Sequence, residues 1–123
     1  MTNSFTIVGL GEAVFDVFPD KEVLGGTSLN VAVQAHQLQA PLGGRGVLLS
    51  RIGNDELGKR LQVEFQNREL PLEFVQVDPT KPTGKVLVSF SEGAPSYEIV
   101  KDTAWDCLEF TEHEAKLAAV CDA

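Results

Sequence analysis

Cysteine is nearly absent, with 2 in 123 residues, and basic side chains are few. Cys107 and Cys121 form no CxxC pair and have no histidine at ligand spacing. They read as two reduced thiols of a cytoplasmic protein, with a structural disulfide as the minority alternative. Lys and Arg total 10 against 18 Asp and Glu, a formal net charge of -8. That balance argues against a nucleic-acid surface. It does not exclude a phosphorylated ligand, which needs only a local cluster of donors. No apolar run approaches the roughly 20 residues of a membrane span. The opening "MTNSFTIVGLGE" lacks a basic stretch ahead of an apolar one, so no signal peptide is expected. His36 and His113 each lack a second ligand at metal-binding spacing and read as surface residues. What is present is an apolar share of 43%, a globular composition. The length fits one domain, or one domain with a small appendage, able to bury roughly two-thirds of its unfolded surface.

Along the chain, "SFTIVGLGEAVFDVFPD" reads as a strand, a glycine break and a second extended piece ended by Pro19-Asp20. Thr27 or Ser28 is the expected cap of a helix whose inner face is Leu29, Ala32, Val33, Ala35 and Leu38. Pro41 and Gly43-Gly44 close that helix. "GVLLSRIG" is a buried-strand type of run. Asn54 or Asp55 caps a second helix with Leu57, Leu61 and Phe65 inward. From Leu70 the period changes to alternation, so residues 70 to 100 read as antiparallel strands, with Val86, Val88 and Phe90 on one side. Thr111 and Glu114 form a capping box for a closing helix. Strands alternating with helices predict an α/β layer with a parallel sheet. Extended pieces at about 12–24, 72–78 and 84–101 do not fit that layer and predict a small second sheet beside it. The last helix runs into "AVCDA" where an α/β alternation calls for a strand, so the chain reads as cut off.

Two short motifs fail on inspection. "GLGEAV" has Val14 where a dinucleotide fingerprint needs its third glycine. "PTGKVL" has Pro79 and Val86 where a phosphate loop needs Gly and Ser or Thr. Asp106, Glu109, Glu112 and Glu114 read as a solvated acidic face. Three features remain. Asp16 is a carboxylate in an apolar extended run; it marks a strand end, or it accepts hydrogen bonds from sugar hydroxyls. Gly25-Gly26 followed by Asn30 is a turn with a cap, or a place where a ligand meets backbone N–H groups and an amide. "SRIGNDELG" is by itself a connection between strand and helix.

In this order, "GLGEAVFDVFPD", "GGTSLNVA", "SRIGNDELGKRL" and "PTGKVLV" resemble the N-terminal half of the ribokinase-like (PfkB) carbohydrate kinases. "GG…NVA" followed by "IGNDELG" carries the likeness, and "EGAPSYEIV" points to fructokinase-type members. The resemblance implies an α/β fold: part of a three-layer ribokinase-like sandwich with a small β-sheet lid, truncated before the C-terminal half. It implies that Asp16 accepts hydrogen bonds from sugar hydroxyls, that Gly25 and Gly26 lie under the sugar, and that Asn30 binds another hydroxyl. Lid strands would keep water from the site. ATP and Mg2+ are implied for a full-length enzyme, with a sugar as substrate, fructose among the candidates, and a homodimer through lid strands as a further expectation. No nucleic-acid or membrane partner is expected. The family's "DTxGAGD" segment, with its catalytic base, has no counterpart here, since Asp102-Thr103 continues into Ala104-Trp105. This chain alone is therefore expected to lack phosphoryl transfer, and a non-catalytic module that pairs through its strands is the alternative. "GGTSLN" stands where "GGAPAN" is common, which leaves the sugar open.

Overall fold

A computed structural model describes residues 4–123. Among the described residues, seven strands and three helices follow one another: β1 (Thr6–Leu10), β2 (Val14–Val17), β3 (Glu22–Gly25), α1 (Thr27–Gln39), β4 (Arg45–Gly53), α2 (Glu56–Asn67), β5 (Val75–Asp78), β6 (Gly84–Ser91), β7 (Ala94–Ile99) and α3 (Glu112–Val120). They form two sheets. The first has three parallel strands in the order β1-β4-β5. The second has four, in the order β3-β2-β6-β7, with β2 and β6 parallel and the two outer pairings antiparallel.

The central strand β4 explains the layering. Successive side chains of a strand point to opposite faces, and both faces of β4 are apolar. Leu48 and Ile52 pack with Leu29, Ala32 and Val33 of α1 and with Leu57, Leu61 and Phe65 of α2. Val47 and Leu49 pack on the other side with Phe74 and with Leu117 of α3. Each helix packs apolar residues on that sheet, but the inner face of α1 is shorter than its spacing implies: Ala35 is half-buried and Leu38 is 72% exposed. The residues after α3 turn back along the free edge of β1, where Asp122 N donates to the Thr6 carbonyl at 2.9 Å and Val8 N to the Ala123 carbonyl at 2.7 Å.

Two expectations are corrected. The segment 72–78 does not join the second sheet: β5 lies parallel beside β4, with Ser50 opposite Val75 and Gly53 opposite Asp78. Alternating polarity describes any strand with unlike faces and does not tell which neighbour it pairs with. Here Arg51 ties β5 to β4 through the buried Asp78 carboxylate, Nε to Oδ2 at 2.9 Å. The second correction concerns the start of α1. Neither Thr27 nor Ser28 caps it. Gly26 occupies the cap position with φ 110°, a conformation that a side chain would strain, and has no side chain to offer. The first free N–H is met from elsewhere in the fold, as described next.

Candidate functional site

The second sheet stands against the N-terminal end of α1, and a cleft of about 420 Å³ opens between them. Register places its side chains. Asp16 on β2 lies opposite Val23 on one side and Val86 on the other, and Val86 lies opposite Ile99. Asp16, Val86 and Ile99 thus form one row across the sheet, and all three line the cleft, as does Val14 two residues before Asp16. From the helix side come Gly26, Thr27 and Asn30. Asn30 is in the first turn, where its backbone N donates to the Gly26 carbonyl at 2.9 Å. Of the four residues singled out from the sequence, Asp16, Gly26 and Asn30 border this one cleft. Gly25 sits beside it: a Cβ there would come 3.1 Å from Asp16 Oδ2, so its bare backbone leaves room for the carboxylate.

Two further lining residues escape a reading by spacing. Glu12, in the loop after β1, reaches across to α1. Its Oε1 accepts from Thr27 N at 2.7 Å and its Oε2 from Ser28 Oγ at 3.4 Å. Burial works to raise its pKa, but the hydrogen bonds from backbone N–H groups, including those of Thr27 and Ser28, outweigh it and hold the carboxyl below its ordinary range. Glu12 is therefore the cap that Gly26 cannot be. With glycine at the cap position and no acidic residue in its first turn, the helix needs an acceptor from outside, a need that shows only once the structure puts Gly26 at the cap. The second residue is Trp105, on a short helical turn, Ala104–Cys107, anchored by Ala104 N donating to the Pro82 carbonyl at 2.8 Å. Its ring packs on Gly84 at the start of β6, and its indole N–H is buried without a partner among the described residues. With Val14, Val86 and Ile99 it forms the apolar wall of the cleft.

The "IGNDELG" stretch lies outside the cleft and does structural work. Asp55 Oδ1 accepts from Gly58 N at 2.9 Å and from Thr83 Oγ1 at 2.6 Å, and Oδ2 accepts from Thr83 N at 2.8 Å. Thr83 Oγ1 in turn accepts from Gly53 N at 2.9 Å. One carboxylate thereby joins the end of β4, the start of α2 and the residue that leads into β6. This knot sets where β6, and Val86 with it, stands relative to the first sheet. Burial raises the Asp55 pKa, and the Thr83 hydroxyl, the Thr83 and Gly58 N–H groups and the charge of Lys85 together bring it below the ordinary value. His36 also has a structural partner, its Nδ1 lying 3.2 Å from Gly46 N.

Phosphate groups and metal ions find little here. The N-termini of α1, α2 and α3 are closed by carboxylates of the chain itself: Glu12 on α1, Asp55 on α2, and Glu114 in the capping box of α3. Among the described residues no three His, Cys, Asp or Glu side chains gather to hold a metal ion. These residues do not fit ATP with its magnesium ion.

The sequence profile of the pfkB family carbohydrate kinases matches residues 7–121. Over 87 residues the chain is 31% identical to the fructokinase of Vibrio alginolyticus, a match that takes in 67% of this chain and 27% of that protein. Over 83 residues it is 32% identical to the ATP-dependent 6-phosphofructokinase of Thermoanaerobacterium thermosaccharolyticum, covering 67% of this chain and 24% of that one. Its fold is similar to the fructokinase of Vibrio cholerae O395 in apo form, with a TM-score of 0.68 and 30% identity over 84% of this chain and 36% of that chain. The form with fructose, ADP and calcium ion bound gives a TM-score of 0.61 at 25% identity, over 84% and 34%. The chain thus spans about a quarter of the length of the curated relatives it matches.

Proposed function

Because the chain belongs to the pfkB family of carbohydrate kinases, a phosphotransferase family, we propose that it is the sugar-binding, N-terminal portion of an ATP-dependent kinase acting on a sugar hydroxyl. The observation that carries this reading is the convergence of Asp16, Gly26 and Asn30 on one cleft beside an apolar wall. In the proposed complex the Asp16 carboxylate accepts from one or two hydroxyls. The Asn30 amide gives one and takes one, and the Gly25-Gly26 backbone lets the sugar approach closely. Such an array discriminates well, because a missing hydroxyl leaves a buried polar group unpaired. ATP and magnesium belong to the proposal for the whole protein. The similar Vibrio cholerae fructokinase, which was crystallised with fructose and ADP bound, supports the nucleotide. The relatives suggest fructose as the first sugar to try.

Calorimetric titration of the 123-residue chain with fructose is expected to give binding that Asp16→Ala weakens by about tenfold or more while its circular dichroism is unchanged. The chain alone is expected to turn over no ATP. Sugar-dependent ADP release that Asp16→Ala abolishes would overturn that part of the proposal.

A second reading, a module that pairs with its own copy, is favoured by one observation. Strand β7 is the outer strand of its sheet and all six of its residues are exposed. Both readings can hold for one chain.

A further inference from the structure

The matched relatives include kinases named for a free sugar and for a sugar phosphate, and the charge pattern of the cleft distinguishes the two. Resting on the carbohydrate-kinase reading above, we infer that the cleft takes an uncharged sugar and rejects its phosphorylated form. Two carboxylates, Glu12 and Asp16, line the cleft, and among the described residues no Lys or Arg does. A phosphomonoester carries nearly two negative charges near neutral pH and is held by cationic side chains or by free backbone N–H groups. The usual source of such N–H groups is a helix N-terminus. One does open into this cleft, at Thr27, but its N–H already donates to Glu12 at 2.7 Å. An incoming phosphate would meet a carboxylate where it needs donors.

An uncharged sugar meets the opposite situation. Its O–H groups are donors, and Asp16 and Glu12 are acceptors. Its C–H face is apolar, and Trp105, Val86 and Ile99 form the facing wall. The Trp105 indole N–H is buried against Gly84, so the ring offers the cleft an apolar surface and no donor for a phosphate oxygen. Hydroxyls toward the acids and carbons toward the indole match the two sides of the cleft.

The test titrates the 123-residue chain calorimetrically with fructose, glucose and ribose, each against its own terminal phosphate. Trp105 is the only tryptophan, so its emission reports from the wall in parallel. At least one free sugar is expected to bind and shift that emission, with its phosphate weaker by about tenfold or more. Glu12→Gln keeps an acceptor for Thr27 N and removes a charge, so it is expected to narrow that ratio by about threefold or more. Added salt is expected to narrow it as well. A phosphate that binds as tightly as its parent sugar, or a ratio that Glu12→Gln leaves unchanged, overturns the inference and leaves the sugar-kinase reading standing. Absence of binding by all six compounds to a chain that circular dichroism shows folded overturns the reading of the cleft itself.

Discussion

Gly84 has no side chain because Trp105 and Val14 fill the space one would need. A Cβ there would lie 2.7 Å from Trp105 Cδ1 and 2.8 Å from Val14 Cγ1, both walls of the cleft. Gly84→Ala must push the indole or the strand aside. It is expected to cost about 1–3 kcal/mol in urea unfolding and to shift the tryptophan emission. Unchanged stability with unchanged emission would show that the ring does not sit there. Glu12 is the other residue whose role is set by one contact. Truncation to alanine removes the cap of α1 and is expected to cost about 1 kcal/mol. These two residues were not legible from spacing. Glu12 acts on a helix 15 positions further on, and Trp105 meets a strand that starts 21 positions earlier. Asp16, Gly26 and Asn30 were legible as candidates because each is an odd residue type within a regular local pattern.

Local patterns specify the elements that depend only on near neighbours. Leu57, Leu61 and Phe65 are buried on α2 as their spacing requires, Asp55 caps that helix, and Thr111 with Glu114 caps the start of α3. Where an element depends on a distant neighbour the local pattern misleads, as for β5, which Arg51 ties to β4 through Asp78, and for α1, whose cap comes from Glu12. The same distant carboxylates make the elements sensitive to acid. Asp55 is held below its ordinary pKa against the opposing effect of burial, and Glu12 likewise. Backbone N–H groups of Lys81 and Thr80 and the Arg51 side chain keep Asp78 well below the usual carboxylate range, and the Thr111 hydroxyl and N–H lower Glu114. A carboxyl whose pKa is lower folded than unfolded adds stability above its unfolded pKa and loses it as pH falls toward the folded one. The melting temperature is therefore expected to be level from neutral pH to about 5 and to fall below about pH 4. Asp55→Asn is expected to lower stability at neutral pH by about 1–3 kcal/mol and to make the acid fall shallower. A melting temperature that holds constant down to about pH 3 would contradict this account.

At the scale of the molecule, the two sheets differ in how they are covered. The first is packed on both faces by helices. The second has helix α1 at one end and an outer strand exposed along its length, with Tyr97 on that strand 66% exposed and Phe90 on neighbouring β6 58% exposed. Unpaired outer strands of this kind are templates for pairing with another chain. Val100 N donates inward to the Lys85 carbonyl at 3.0 Å, so by alternation the N–H of Tyr97 points outward. Light scattering is expected to show self-association of the chain, and Tyr97→Pro, which removes that outward N–H, is expected to return it toward monomer. A clean monomer at high concentration would count against the second functional reading.

The order of strands and helices, the inner face of α2, the first two turns of the inner face of α1 and the family to which the chain belongs follow from the sequence itself, because each is written in residues a few positions apart. Which sheet β5 joins, what caps α1 and which residues wall the cleft were decided only in the tertiary structure. The physical reason is the same for all three. A backbone N–H, a strand edge or an indole ring is satisfied by whatever group the fold brings near, and that group need not be a neighbour along the chain.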